Sequence, residues 1–189
     1  MSTLQATNLK NVSAGTNNVV LNADGTTTIA APSNIIKSGT AAVTTTGVAV
    51  DFIGIPSWAK RITVMFNGVS TSGTSFLVTR LGAGSAQATG YITAVWAVTN
   101  GAVNAVAGST TDFVLPGSTA AELRYGALQF SLLSGNTWIG TGNVITSGGF
   151  VSVTSGNVAL TGTLDRVRIT TQGGTDTFDA GSVNILYEG

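Results

Sequence analysis

The chain has 189 residues, 25 of them glycine and 3 proline, and only 8% of its residues are charged, against about a quarter in an ordinary soluble domain. Eight Lys plus Arg balance eight Asp plus Glu, which removes the electrostatic footprint that phosphate binding or attraction to an anionic membrane needs, so neither nucleic acid nor membrane insertion is expected. With no cysteine and no histidine, disulfides, thiolate nucleophiles, zinc knuckles, iron–sulfur clusters and Ser-His-Asp or Cys-His catalysis are excluded.

Residues 1–37 are rich in Asn, Thr, Ser and Ala and lack the apolar bulk for a core of their own. Their start, from Met1, has neither the positive residues nor the apolar run of a secretory signal, and no stretch in the chain approaches the roughly 18 apolar residues of a membrane span. Synthesis in a cytoplasm is the expectation. Val19–Asn22 and Thr26–Ile29 read as a hairpin whose Asp24-Gly25 turn supplies positive backbone angles. A hairpin alone is marginal, so the segment is expected to be an arm ordered by other chains, with Leu4, Leu9, Val12, Val19, Leu21 and Ile29 as its anchoring apolar residues and residues 32–34 as a joint.

From residue 38 onward apolar and polar residues alternate in short stretches, and nowhere do they recur at helical spacing over a dozen residues. Strands are predicted at 48–52, 61–67, 75–81, 90–98, 127–133, 137–140, 149–154, 165–171 and 182–187, separated by Gly, Asn and Ser turns. In the first clear strand Ile62, Val64 and Phe66 share one face; in the penultimate one Val167 and Ile169 point in while Arg166, Arg168 and Thr170 point out. The last opposes Val183, Ile185 and Tyr187 to Ser182, Asn184 and Leu186. The predicted fold is all-β, a jelly-roll-like β-sandwich over residues 38–189 with an extended amino-terminal β arm. Trp58, Trp96, Trp138 and six phenylalanines, at 66, 76, 113, 130, 150 and 178, are candidates for its core.

Few residues could do chemistry. Asp176 and Asp179 form the only close carboxylate pair, and turn hydrogen bonding explains them better than acid–base work on a glycoside or calcium ligation. The glycine strings 82–84 and 140–142 lack the Lys-Ser/Thr of a phosphate loop and read as turns. Lys60, Arg61, Arg166 and Arg168 read as charged strand edges, with Asp51 and Asp165 as partners. Tyr91, Trp96, Tyr125 and Trp138 lie near Gly and Thr turns, where flat rings stack on sugars, and are the candidate glycan contacts. No catalytic residue, cofactor or metal is expected.

Residues 55–74 (IPSWAKRITVMFNGVSTSGT), 162–171 (GTLDRVRITT) and 174–188 (GTDTFDAGSVNILYE) resemble the opening and closing strands of a β-domain found in tailed-phage fibre and appendage proteins. Residues 4–13 (LQATNLKNVS) and 17–25 (NNVVLNADG) are similar to segments that join phage fibres and decoration proteins to a virion. Residues 82–160 match no such motif. The resemblance implies a homotrimer on the virion, assembled in the host cytoplasm. Its arm would attach to capsid, portal or tail proteins and its body would point outward, within reach of host surface glycan. A capsid decoration protein that cements the head is the alternative.

Overall fold

The computed structural model describes residues 8–9, 19–29, 36–99, 102–117 and 119–189, and of residues 8, 9, 29 and 104–107 the backbone alone. Every regular element among them is a strand, so no helix there is long and apolar enough to cross a membrane. Ile36–Glu188 form one compact unit and the amino-terminal strands belong to another.

In the amino-terminal unit, β1 (Asn8–Leu9), β2 (Val19–Leu21) and β3 (Thr27–Ile29) make an antiparallel sheet in the order β1-β2-β3. The expected hairpin is β2–β3, with Val19 opposite Ile29. Gly25 takes φ 84°, and the Asp24 carboxylate accepts the backbone N–H and the hydroxyl of Thr26 at 2.9 and 2.6 Å. Those donors hold the carboxyl below its usual range. Val19 is half-buried, Leu21 is exposed, Leu9 pairs with Val19 through the backbone, and Leu4, Val12 and the joint at 32–34 lie outside the described residues.

The body contains β4 (Lys37–Ser38), β5 (Ala42–Val43), β6 (Ala49–Ile53), β7 (Arg61–Thr71), β8 (Leu77–Ala83), β9 (Ser85–Ala86), β10 (Tyr91–Thr99) and β11 (Ala102–Ser109). It continues with β12 (Phe113–Leu115), β13 (Arg124–Ser134), β14 (Thr137–Thr146), β15 (Val151–Ala159), β16 (Arg166–Thr171) and β17 (Phe178–Glu188). The larger sheet runs β11-β10-β15-β14-β13-β7-β17-β4, with β5 also on β17, and the smaller runs β12-β8-β16-β6, with β9 on β8. Successive pairings are nested: β13 with β14, then β10 with β15, β8 with β16, β7 with β17, and β4 and β5 with β17. A long antiparallel hairpin rolled into two layers has this pattern, which makes the body a jelly-roll-like sandwich.

Alternation decides what the layers enclose. Ile62, Val64 and Phe66 of β7, Leu128 and Phe130 of β13 and Val183 and Ile185 of β17 point inward and meet Leu77, Leu81, Val167 and Ile169 of the smaller sheet. Tyr91, Phe113 and Phe130 pack edge to face in series, with centroids 5.7 and 4.9 Å apart. A second cluster joins Val78, Val95 and Val114. Beside it the buried Asp112 accepts hydrogen bonds from Ser109, Thr111 and Arg80 at 2.8, 2.9 and 3.1 Å, which compensates its burial.

Three expectations change. Gly140-Thr141-Gly142 is not a turn but the interior of β14, because Gly140 lies against the Phe113 and Phe130 rings, where an added Cβ would come within 2.4 Å of Phe113. Thr170 is buried rather than outward, since its hydroxyl donates to the Val48 carbonyl at 2.7 Å. Among the proposed core aromatics, Trp58, Phe76 and Phe150 are only half-buried and Trp96 is exposed. At Gly181, φ is 90° and an added Cβ would lie 2.3 Å from the Gly68 carbonyl oxygen, which fixes glycine at the irregular step of the β7–β17 ladder.

Candidate interaction surface

Charge is spread unevenly over the outer faces, and the larger sheet carries it at its β7–β17 side, where Arg61 pairs with Glu188. On the smaller sheet Arg168 pairs with Asp51 through two hydrogen bonds of 2.8 and 2.7 Å, and Arg166 pairs with Asp165 at 2.8 Å. These contacts raise the guanidinium pKa values and, for Asp165, help hold the carboxyl below its usual range together with the Gly84 N–H. The basic residues of the last strands therefore have the partners anticipated for them. On the larger sheet, β10, β11, β14 and β15 contain no Asp, Glu, Lys or Arg at all.

The ladder register lays out that charge-free face. Val103 on β11 lies opposite Val98, Val98 opposite Val151, Val151 opposite Ile145 and Ile145 opposite Tyr125, one row across five adjacent strands. Opposed residues of antiparallel strands share a face, and all five side chains are exposed, by 58, 40, 45, 49 and 39%. In the next row Trp96, 56% exposed, lies opposite Val153. That row continues through Asn143 and Ala127 to Met65. Here the surface becomes polar, with a shallow depression lined by Thr63, Gln129, Thr141 and Asn143. One sheet face thus carries an apolar stripe next to a patch of neutral hydroxyl and amide groups.

The four aromatics expected to share a sugar-binding surface do not share one. Trp96 and Tyr125 are on this face, but Tyr91 and Trp138 are core residues, 1 and 2% exposed. Tyr91 sits on the inward phase of β10, where its hydroxyl accepts the Leu81 N–H at 2.9 Å and donates to the Leu81 carbonyl at 3.2 Å, and burial pushes its pKa well up. Trp138 occupies the inward phase of β14. The stripe of Val98, Val103, Val151 and Ile145 escaped the sequence reading, although β10 holds its signal: both alternating phases of YITAVWAVT are apolar, whereas a half-solvated strand should be polar on one.

The Asp176 and Asp179 carboxylates accept hydrogen bonds from the chain itself. Asp176 accepts the Ser75 N–H at 2.9 Å, and Asp179 accepts the Ser70 hydroxyl, so each ties the region entering β17 to β7 or to the loop after it. The buried Arg124 donates to the carbonyls of Glu122 and Pro116 at 3.1 and 3.4 Å, and burial lowers its pKa against the pull of Glu122 and Asp179. Among the described residues no group of three or more Asp and Glu converges as a metal site would require. No protein-family model and no curated protein matches the chain.

Proposed function

We propose that this chain is a non-enzymatic structural protein of a tailed-phage virion. It is a homotrimeric fibre or appendage, held to capsid, portal or tail by its amino-terminal segment and presenting the sandwich outward. The observation that carries this reading is the broad charge-free part of the larger sheet's outer face, over β10, β11, β14 and β15, since such a surface suits lasting contact with neutral partners better than steering toward charged ones. The separate strand-forming unit before Ile36 supports an attachment role, because a three-stranded sheet this small gains stability from strands or surfaces supplied by others. The resemblance of residues 55–74 and 162–188 to phage fibre domains supplies the virion.

Host glycan fits the polar part of the face. Thr63, Gln129, Thr141 and Asn143 offer neutral donors and acceptors. Many displayed copies would multiply a weak contact of this kind. One observation favours the second reading, a capsid decoration protein: only residues 30–36 separate β3 from β4, which leaves no room for a shaft between attachment unit and sandwich.

Electron microscopy of particles assembled with and without the chain tests both. A fibre gives density projecting from tail or vertex and intact particles in its absence. Decoration gives density lying across capsid subunit junctions and fragile particles in its absence. Particles from which the chain is missing altogether would end both readings.

A further inference from the structure

We propose that the apolar stripe on the larger sheet, the row from Val103 to Tyr125 with Trp96 and Val153 beside it, is the surface on which a second copy of this chain packs. The inference rests on the reading above only for there being copies to join; the choice of face comes from the geometry.

Four observations select a second copy. The stripe and its nearest neighbours carry no charge, so another copy of the chain can approach it without the like-charge repulsion that keeps most surfaces apart. Its seven apolar side chains offer on the order of 600 Å², as large as the largest patches monomers leave bare and most of the roughly 800 Å² per partner of a standard interface. Five are β-branched and two are aromatic, side chains that lose little rotamer freedom when covered. Finally, the stripe is continuous across β11, β10, β15, β14 and β13, so a single partner surface can lie along it.

Other occupants fit less well. An anionic lipid surface would require a basic rim, and these four charge-free strands have no Lys or Arg. A sugar would meet valine and isoleucine where it needs hydrogen-bond partners, and those partners lie outside the stripe, at Thr141, Gln129 and Asn143.

The test uses the purified full chain, with mass measured by light scattering and sedimentation over a concentration series. The wild type is expected to be a multimer. Ile145→Lys places a charge within the row, between Val151 and Tyr125, and should weaken association by about 100-fold or more, while Ile53→Lys, on the outer face of the smaller sheet, should leave it unchanged. A second measurement needs no charged variant: association should shift Trp96 emission to the blue as concentration rises, and Trp96→Phe should remove that shift. A wild type that stays monomeric at every concentration overturns the proposal while leaving virion placement to microscopy. A multimer that survives Ile145→Lys with Trp96 emission unmoved overturns the choice of face. Dissociation of the multimer by a neutral oligosaccharide, with Trp96 emission responding, would assign the stripe to glycan and overturn it as well.

Discussion

Trp138, Trp58 and Trp96 meet three different environments within one sandwich. Trp138 is enclosed between the sheets, Trp58 packs at 5.7 Å against Tyr187 beneath Lys37, and Trp96 stands on the outer face. Removing each ring therefore has a different cost. Trp138→Ala should lower unfolding free energy by about 3–5 kcal/mol, the range for emptying a buried aromatic site. Trp96→Ala should change the stability of the monomeric fold by no more than ~0.5 kcal/mol. Urea unfolding at concentrations that keep the chain dissociated checks both; equal losses would contradict the placement of the two rings. The sequence showed that Trp96 and Trp138 sit on strands but not which way they face, because their strands carry apolar residues on both phases. Trp138 and Trp96 differ only in phase, and phase is set by register with strands remote in the chain.

β14 shows how an element can be misread when its packing is distant in sequence. Glycine normally weakens a strand and signals a turn, so the predicted strand stopped at Gly140, whereas β14 runs on to Thr146. The missing side chain is filled by Phe113 and Phe130, rings contributed by β12 and β13. Gly140→Ala should consequently cost about 1–3 kcal/mol through overpacking, measured as a lowered melting temperature, and a variant as stable as the parent would show that the rings give way. Other elements were plainer. The first halves of β7 and β16 alternate, and Ile62, Val64, Phe66, Val167 and Ile169 face the core as their spacing requires. β11, with alanine, valine and glycine in nearly every position, has no alternation to read, and it was not anticipated.

The all-β architecture was legible because strand-length alternation and glycine-rich turns recur throughout the body, and two-layer packing follows from the need to bury one phase. The contact surface was not, since it appears only when five strands from separate parts of the chain are laid side by side. The boundary at Ile36 has a consequence that can be measured. A chain starting at Ile36 keeps the Lys37–Ser38 pairing with Tyr187 and Leu186, and its circular dichroism and melting temperature should match those of the sandwich in the full chain. A start at Thr40 removes that pairing, bares part of the edge of β17, and should melt lower. If the Ile36 chain fails to fold, the two units depend on each other.

Nested pairing also sets an order of events during synthesis. Ile62 leaves the ribosome early, yet its partner across the ladder is Tyr187, so the layers cannot close until almost the whole described body has been made. Contacts this far apart in sequence form slowly, and in the interval the apolar phases of β7, β8 and β10 wait uncovered. A nascent chain stalled before β17 is therefore a substrate for holding chaperones and proteases rather than a smaller sandwich.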